Sequence, residues 1–120
     1  MRYCLDTNTA IYFFSGRLSE PLPDGEWLIS VITELELRSY TFATPDDERK
    51  VAEFIERIPV VDLTPEIKRL AITMRRDKQL KLPDAIIAAT SQIAQATLVT
   101  NDNRLAQALD ISHVVPSLKT

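Results

Sequence analysis

Apolar and polar residues follow two different patterns of spacing along this chain. Short apolar runs occur at residues 2–5, 27–30, 59–63, 97–100 and 113–115. Most of the segments between them carry apolar residues three or four positions apart, which is the spacing of a helix with one buried face. Strands that alternate with helices predict an α/β fold: a short parallel sheet of about five strands with helices on both faces.

Capping residues mark where the predicted helices begin. Thr44-Pro45 and Thr64-Pro65 each place a threonine cap before a proline at the first helical position. Asp6 and Ser30 supply the same chemistry after the first two apolar runs. Helices are therefore predicted to begin near residues 7, 31, 45, 65, 83 and 102, with the second ending near Phe42 and the last at Leu109. Residues 15–25, which contain prolines and glycines, predict a loop.

Length and composition limit the chain to one globular domain. With 120 residues, 45% of them hydrophobic and 26% charged, residues 1–120 suffice for one core but not for two. No apolar stretch reaches the roughly 18 residues of a membrane span, and Asp6 interrupts any signal-peptide core, so we expect a cytoplasmic protein. The single cysteine, Cys4, excludes an internal disulfide and is predicted to be buried in the first strand. A net charge of -3 excludes a uniformly basic nucleic-acid binder, but not a local basic patch.

Four acidic residues follow apolar runs or open helices at widely separated points, and we predict that they share one site. They are Asp6, Glu36, Asp84 and Asp102. In a parallel α/β sheet, ligands bind beyond the carboxyl ends of the strands, where Asp6 and Asp102 are both expected. Carboxylates that converge without histidine or cysteine suit Mg²⁺ or Mn²⁺ better than zinc. Asp6, Asp84 and Asp102 each have a plain alternative as a helix cap or first-turn acid, so their joint arrangement carries the prediction.

Glu36 has a competitor, Glu34, on the same predicted helix. The apolar stripe of that helix is expected to consist of Val31, Ile32, Leu35, Ser39 and Phe42. The two glutamates lie near opposite edges of this stripe, so helical geometry alone leaves both open. Leu37 and Tyr40 point away from the stripe and predict a second apolar surface.

Four segments of the chain occur in the order typical of a known family. They are YCLDTNTAIYFF, ISVITELEL, LPDAIIAAT and TLVTND, of which LPDAIIAAT is the most specific. Over essentially its whole length the chain resembles PIN-domain ribonucleases, and most closely the VapC toxins of bacterial and archaeal toxin–antitoxin pairs. The resemblance implies a single PIN-like domain.

Matching the motifs residue by residue assigns the four acids. Asp6 matches the family's first acid, Asp84 the third, and Asp102 the acidic or amide position of the final motif, where neighbouring Asn101 could carry part of the role. The serine–threonine–glutamate spacing within ISVITELEL favours Glu36 over Glu34 as the second acid. All four are expected to bind metal and to act in catalysis. The residues expected to orient ligands or substrate are Asn8, Ser30 and Thr100.

The resemblance also implies an activity and partners. It implies cleavage of RNA, commonly transfer or ribosomal RNA, by water that carboxylate-held Mg²⁺ or Mn²⁺ activates. It further implies a homodimer, and a cognate antitoxin that inhibits by inserting into the active-site groove. We assign the apolar surface at Leu37 and Tyr40 to one of these two protein contacts. The candidates for contacts with RNA phosphates are Arg75, Arg76, Lys78 and Lys81, which as a helix end also complement the helix dipole.

Two other classes of protein would fit parts of this pattern. A receiver-type phosphoacceptor signalling domain has a similar length and acids at strand ends. It requires an acidic pair after the first strand and a lysine after the last, where Pro116-Ser117 stands here. A catalytically silent PIN-like module would keep the fold and act through protein contacts alone, and retention of all four acids argues against it.

Overall fold

The computed structural model describes residues 1–108 and 113–119, along which five strands and six helices alternate. The strands are β1 (Arg2–Leu5), β2 (Glu26–Ser30), β3 (Val60–Val61), β4 (Thr97–Val99) and β5 (His113–Val114). The helices are α1 (Thr7–Phe14), α2 (Val31–Ser39), α3 (Pro45–Arg57), α4 (Pro65–Lys78), α5 (Leu82–Ile93) and α6 (Asn103–Ala108). The predicted α/β class is confirmed, while the predicted helix end at Leu109 lies outside the described residues.

The five strands form one parallel sheet in the order β3-β2-β1-β4-β5. Cys4 of β1 lies between Leu28 of β2 and Leu98 of β4. The chain starts in the middle of the sheet, adds β2 and β3 on one side, and then crosses back to add β4 and β5 on the other. The strand order therefore reverses between β1 and β4. The carboxyl ends of these two strands flank the crevice where such sheets bind ligands. A receiver domain has the order 2-1-3-4-5, and the observed order excludes that alternative.

Alternate residues of the strands face two separate layers of helices, because successive side chains of a strand point to opposite faces. One set, which packs against α4 and α5, consists of Cys4, Leu28 and Leu98. The other set, which packs against α1, α2 and α3, consists of Tyr3, Leu5, Ile29 and Val99. Helices therefore cover both faces of the sheet, as predicted.

The helices begin where the capping residues predict. The hydroxyl of Ser30 accepts a hydrogen bond from the backbone N–H of Ile32 at 3.1 Å. Thr44 and Thr64 accept the backbone N–H three residues further on, and a proline follows each of them. These bonds satisfy donors that a helix start would otherwise leave unpaired.

Helix α2 buries a different face from the one predicted. Thr33 and Leu37 are buried, whereas Leu35 is 58% exposed. The helix also ends before Tyr40, whose backbone is extended, so Phe42 does not belong to it. Because α2 packs against α1, α3 and α5 as well as the sheet, tertiary contacts decide which face is buried. The predicted apolar surface is therefore wrong at Leu37; Tyr40 is exposed, with its ring edge-on to Phe42.

Cys4 is fully buried in β1, as predicted. Burial and the nearby charge of Asp6 raise the pKa of its thiol to about 12. Among the helices that the structure describes, none is long and apolar enough to cross a membrane.

Candidate metal centre

Asp6 stands where β1 ends and α1 begins, at the carboxyl edge of the sheet. One of its carboxylate oxygens accepts the backbone N–H of Thr9 at 2.8 Å, which makes Asp6 the cap of α1. The other oxygen accepts the hydroxyl of Thr100. The residue is only 5% exposed. Burial raises the pKa of Asp6, the hydrogen bonds from Thr100 and Thr9 oppose that rise, and the charge of Asp102 adds to it.

The loop after β4 brings a second acid to the same edge. The buried hydroxyl of Thr100 donates to Asp6 and accepts the backbone N–H of Asp102 at 3.1 Å, so one side chain links both acids. Asp102 in turn accepts the backbone N–H of Leu105 at 3.0 Å and caps α6. The exposed carboxylate of Asp102 has further lone pairs, so capping leaves it able to bind a cation.

Asn101, next to Asp102, is engaged elsewhere. Its side-chain amide donates to the carbonyl of Pro116, and its backbone N–H donates to the hydroxyl of Thr9 at 2.9 Å. These bonds tie the loop to α1 and to the C-terminal segment. Asp102, unlike Asn101, lines the cleft that opens beside Asp84, which favours Asp102 over Asn101 as the acid of the site.

Asp84 occupies the first turn of α5 and is half-buried. Burial raises its pKa, and the charges of Asp102, Asp6 and Glu36 raise it further, whereas that of Lys81 lowers it. Charge effects of this kind weaken with distance. All four predicted acids therefore lie in one electrostatic neighbourhood, although they come from four separate parts of the chain.

Glu36 is held in this neighbourhood by α1. The hydroxyl of Thr7 donates to the Glu36 carboxylate at 2.6 Å and lies 3.1 Å from the hydroxyl of buried Thr33. A hydroxyl has one proton and a carboxylate can only accept, so Thr33 is the donor to Thr7. Glu34 instead pairs with Arg38 one turn along the same helix, at 3.1 Å. The contacts therefore favour Glu36, a choice that helical geometry alone left open.

The donor chemistry of this site fits a hard divalent cation. Carboxylate oxygens without histidine or cysteine are ligands that Mg²⁺ and Mn²⁺ prefer. Within the part of the chain that the structure describes, no three acidic, histidine or cysteine side chains stand close enough to bind one ion together. Mg²⁺ usually keeps several waters and binds through one or two carboxylates, so a pair of these acids with water-mediated help from the others is sufficient. The repulsion from neighbouring carboxylates, which adds to the effect of burial in raising the pKa of Asp6 and of Asp84, would be relieved by such an ion.

A cleft of about 310 Å³ opens beside Asp84 and Asp102. It is lined by Lys78, Gln79, Leu80, Lys81, Asp84, Asp102, Arg104 and Leu105. Of the four residues in the predicted basic cluster, Lys78 and Lys81 line the cleft. Arg75 and Arg76 do not. Arg75 donates to the carbonyl of Leu80 at 3.1 Å, and Arg76 is exposed away from the lining. The lining of the cleft therefore combines acidic and basic side chains.

Two of the residues predicted to orient ligands have no hydrogen bond to any of the four acids among the described residues. Asn8 is exposed, and its side chain forms no hydrogen bond with the described residues. Ser30 is buried as the cap of α2. Thr100, the third, contacts Asp6 directly.

Three residues of the site were not predicted from the sequence: Thr7, Thr9 and Arg104. Thr9 carried a usable signal, since it lies three residues after the cap Asp6, where a backbone N–H returns to the cap side chain. Thr7 and Arg104 carried no such signal. Thr7 contacts a residue distant in the sequence, and Arg104 belongs to a surface that distant parts of the chain form together.

The family model for the PIN domain matches residues 3–109. The chain therefore belongs to the PIN domain family, which confirms the family recognised from its motifs. No curated protein sequence gives a significant match.

Solved structures of toxin–antitoxin complexes contain chains of the same fold. A chain of a toxin–antitoxin complex from Klebsiella pneumoniae is 27% identical, with a TM-score of 0.79, and the match covers 96% of this chain and 98% of that one. A chain of VapBC2 from Rickettsia felis, bound to a DNA fragment from its promoter, is 20% identical with a TM-score of 0.78, covering 98% and 100%. A chain of DNA-bound VapBC from Salmonella typhimurium is 22% identical with a TM-score of 0.77, covering 96% and 98%.

Proposed function

We propose that this protein is a metal-dependent endoribonuclease and the toxin of a toxin–antitoxin pair. The observation that carries the proposal is the gathering of Asp6, Glu36, Asp84 and Asp102 beside the β1–β4 crevice of a PIN fold. Membership of the PIN family and structural similarity to chains of toxin–antitoxin complexes support it. The substrate would be cellular RNA, of which transfer and ribosomal RNA are the first to test.

The side chains would divide the work of phosphodiester hydrolysis. Bound Mg²⁺ or Mn²⁺ would polarise the phosphate and lower the pKa of a water molecule. Asp6 and Asp84 would hold the ion directly or through water, with Asp6 kept in one orientation by Thr9 and Thr100. Glu36 and Asp102 would complete the site and position the attacking water.

The cleft supports an anionic substrate as well as a cation. Lys78 and Lys81 line it together with Asp84. Cations in this position offset the repulsion between carboxylates and RNA phosphates, and Lys81 already lowers the pKa of Asp84. The overall charge of -3 is therefore compatible with a locally attractive site.

We further propose a cognate antitoxin and a homodimer as the partners of this chain, and the cytoplasm as its location. The complexes from Klebsiella pneumoniae, Rickettsia felis and Salmonella typhimurium support the antitoxin. Exposed apolar side chains on and after α2, at Leu35 and Tyr40, offer part of a contact surface.

Cleavage of purified cellular RNA, with and without chelation of divalent metal, tests the nuclease proposal. Wild-type protein should cleave in Mg²⁺ or Mn²⁺ and stop when EDTA is added. Asp6→Asn and Asp84→Asn should each lower the rate by at least about a hundredfold, while Asp62→Asn, an exposed acid outside the site, should not.

Each outcome has a clear reading. If both Asp6→Asn and Asp84→Asn keep the wild-type rate, the site assignment is wrong. If wild-type protein cleaves no cellular RNA in either metal, the silent interaction module becomes the better account of the same fold.

A further inference from the structure

Arg104 is an exposed cation on α6 that has no partner among the described residues. It follows Asp102 by two positions and lines the same cleft, yet no carboxylate of the described residues lies within ion-pair distance of it. Arg2, Arg38 and Arg49 form ion pairs with neighbouring acids. Other arginines without an ion pair among the described residues, such as Arg69, lie outside the cleft. Arg104 is therefore available for an external anion.

The cations that line the cleft come from two separate stretches of the chain. Lys78 and Lys81 come from the end of α4 and the turn before α5, and Arg104 comes from α6. Asp84 and Asp102 line the same cleft. A ligand that contacts both groups of cations would lie along the same lining as these acids, and it must present more than one negative charge.

A nucleic-acid strand meets both conditions, because it carries a phosphate at every nucleotide. The planar guanidinium of arginine can form two parallel hydrogen bonds to one phosphate, which a lysine ammonium cannot do. Arg104 would thus fix the register of the strand more closely than the lysines. Contacts with phosphates carry no base information, so binding in this cleft would be independent of sequence.

We propose that Arg104 binds a backbone phosphate next to the scissile one, so that single-stranded RNA crosses the cleft from the α4–α5 turn to α6. This proposal rests on the proposed nuclease function and adds to it a substrate-binding residue and a path for the strand.

Salt-dependent RNA binding tests Arg104 separately from catalysis. Binding of a short fluorescent single-stranded RNA is measured by anisotropy in Mg²⁺ over about 50 to 200 mM KCl. The parent protein for these measurements carries Asp84→Asn, which suppresses cleavage. It is compared with two double variants, in which Arg104→Gln or Arg69→Gln is added to the parent. Arg69 is the matched control, since it is exposed and lies on α4 outside the cleft.

Losing one phosphate contact should lower the slope of log K against log salt by about 0.7 and weaken binding about fivefold at low salt. Arg69→Gln should leave the slope unchanged, and Arg104→Lys should restore the slope with only part of the affinity. An Arg104→Gln slope equal to that of Arg69→Gln, or a parent variant that binds no RNA, overturns the proposal. Wild-type RNA cleavage, measured in parallel, distinguishes the failures. A lowered slope without cleavage refutes the nuclease and leaves only a phosphate contact at Arg104, whereas cleavage with an unchanged slope refutes the role of Arg104 alone.

Discussion

Replacing Thr7 with valine removes the hydroxyl that holds Glu36 in the site. Valine has nearly the same shape and a similar helix propensity, so the main loss is the 2.6 Å hydrogen bond to the carboxylate. A hydrogen bond to a charged group contributes about 1.5 to 3 kcal/mol. Because Glu36 is partly exposed, solvent replaces much of that bond, and we expect a loss of about 1 kcal/mol in folding free energy. For a domain of this size that corresponds to about 4 °C in Tm.

The effect on catalysis should exceed the effect on stability. Without the hydroxyl of Thr7, repulsion from Asp84 would turn the Glu36 carboxylate towards solvent. Displacing a catalytic group by about 1 Å costs up to a hundredfold in rate, so Thr7→Val should lower RNA cleavage by roughly ten- to a hundredfold and raise the Mg²⁺ concentration required for half activity. Thr7→Ser, which keeps the hydroxyl, should retain most of the activity.

A fluorogenic RNA assay over a series of Mg²⁺ concentrations, with thermal unfolding of each variant, measures both effects. Wild-type cleavage and an unchanged Mg²⁺ requirement in Thr7→Val would refute the positioning role of Thr7. Equal losses in Thr7→Val and Thr7→Ser would show that the shape of the side chain, and not its hydroxyl, matters.

Three further predictions concern individual side chains. Burial and neighbouring carboxylates raise the pKa of Asp84, so the metal-free fold holds this proton more tightly than the unfolded chain does and loses stability as pH rises through the raised pKa. In EDTA at neutral pH, Asp84→Asn should therefore have a Tm a few degrees above that of wild-type protein. Thermal unfolding of both proteins from acid to neutral pH measures this, and a Tm of Asp84→Asn below the wild-type value at neutral pH would contradict it. Glu36→Gln should lose at least about tenfold more RNA-cleavage activity than Glu34→Gln; the reverse ranking would move the second acid to Glu34. Cys4, fully buried with a thiol pKa of about 12, should react with a thiol reagent only after denaturation, and rapid labelling of native protein would show that β1 opens readily.

The strands and helix starts were predictable because their signals are local. An apolar run flanked by turn residues identifies a strand, and a threonine followed by proline identifies a helix start at Thr44 and Thr64 alike. Neither signal depends on distant parts of the chain, and the predicted starts of α3 and α4 match the observed ones. The alternation of strands with helices then determines the α/β class.

The buried face of α2 was not predictable in this way. Leu35 is an apolar residue at helical spacing, yet it is exposed, while Leu37 is buried. The choice depends on how α2 lies against α1, α3 and α5, and side-chain periodicity contains no information about those crossings.

The candidate site shows the same division between local and distant signals. The acids were proposed from their positions along the predicted strands and helices and then assigned by motif order. The contact between Thr7 and Glu36, by contrast, joins residues 29 positions apart and depends on the packing of two helices. The unpaired state of Arg104 likewise becomes visible only once its surroundings are known. Sequence patterns thus identified the acids that the fold brings near one another, but not the side chains that contact them.

Calorimetric titration with Mn²⁺ tests most directly the central claim that these acids form a metal centre. Wild-type protein and Glu34→Gln should bind Mn²⁺ with similar affinity, whereas Asp6→Asn and Asp84→Asn should weaken binding by at least about tenfold, because each removes one anionic oxygen ligand. Thermal unfolding would first establish that both aspartate variants are folded. Unchanged Mn²⁺ binding in both of them would then contradict the metal centre.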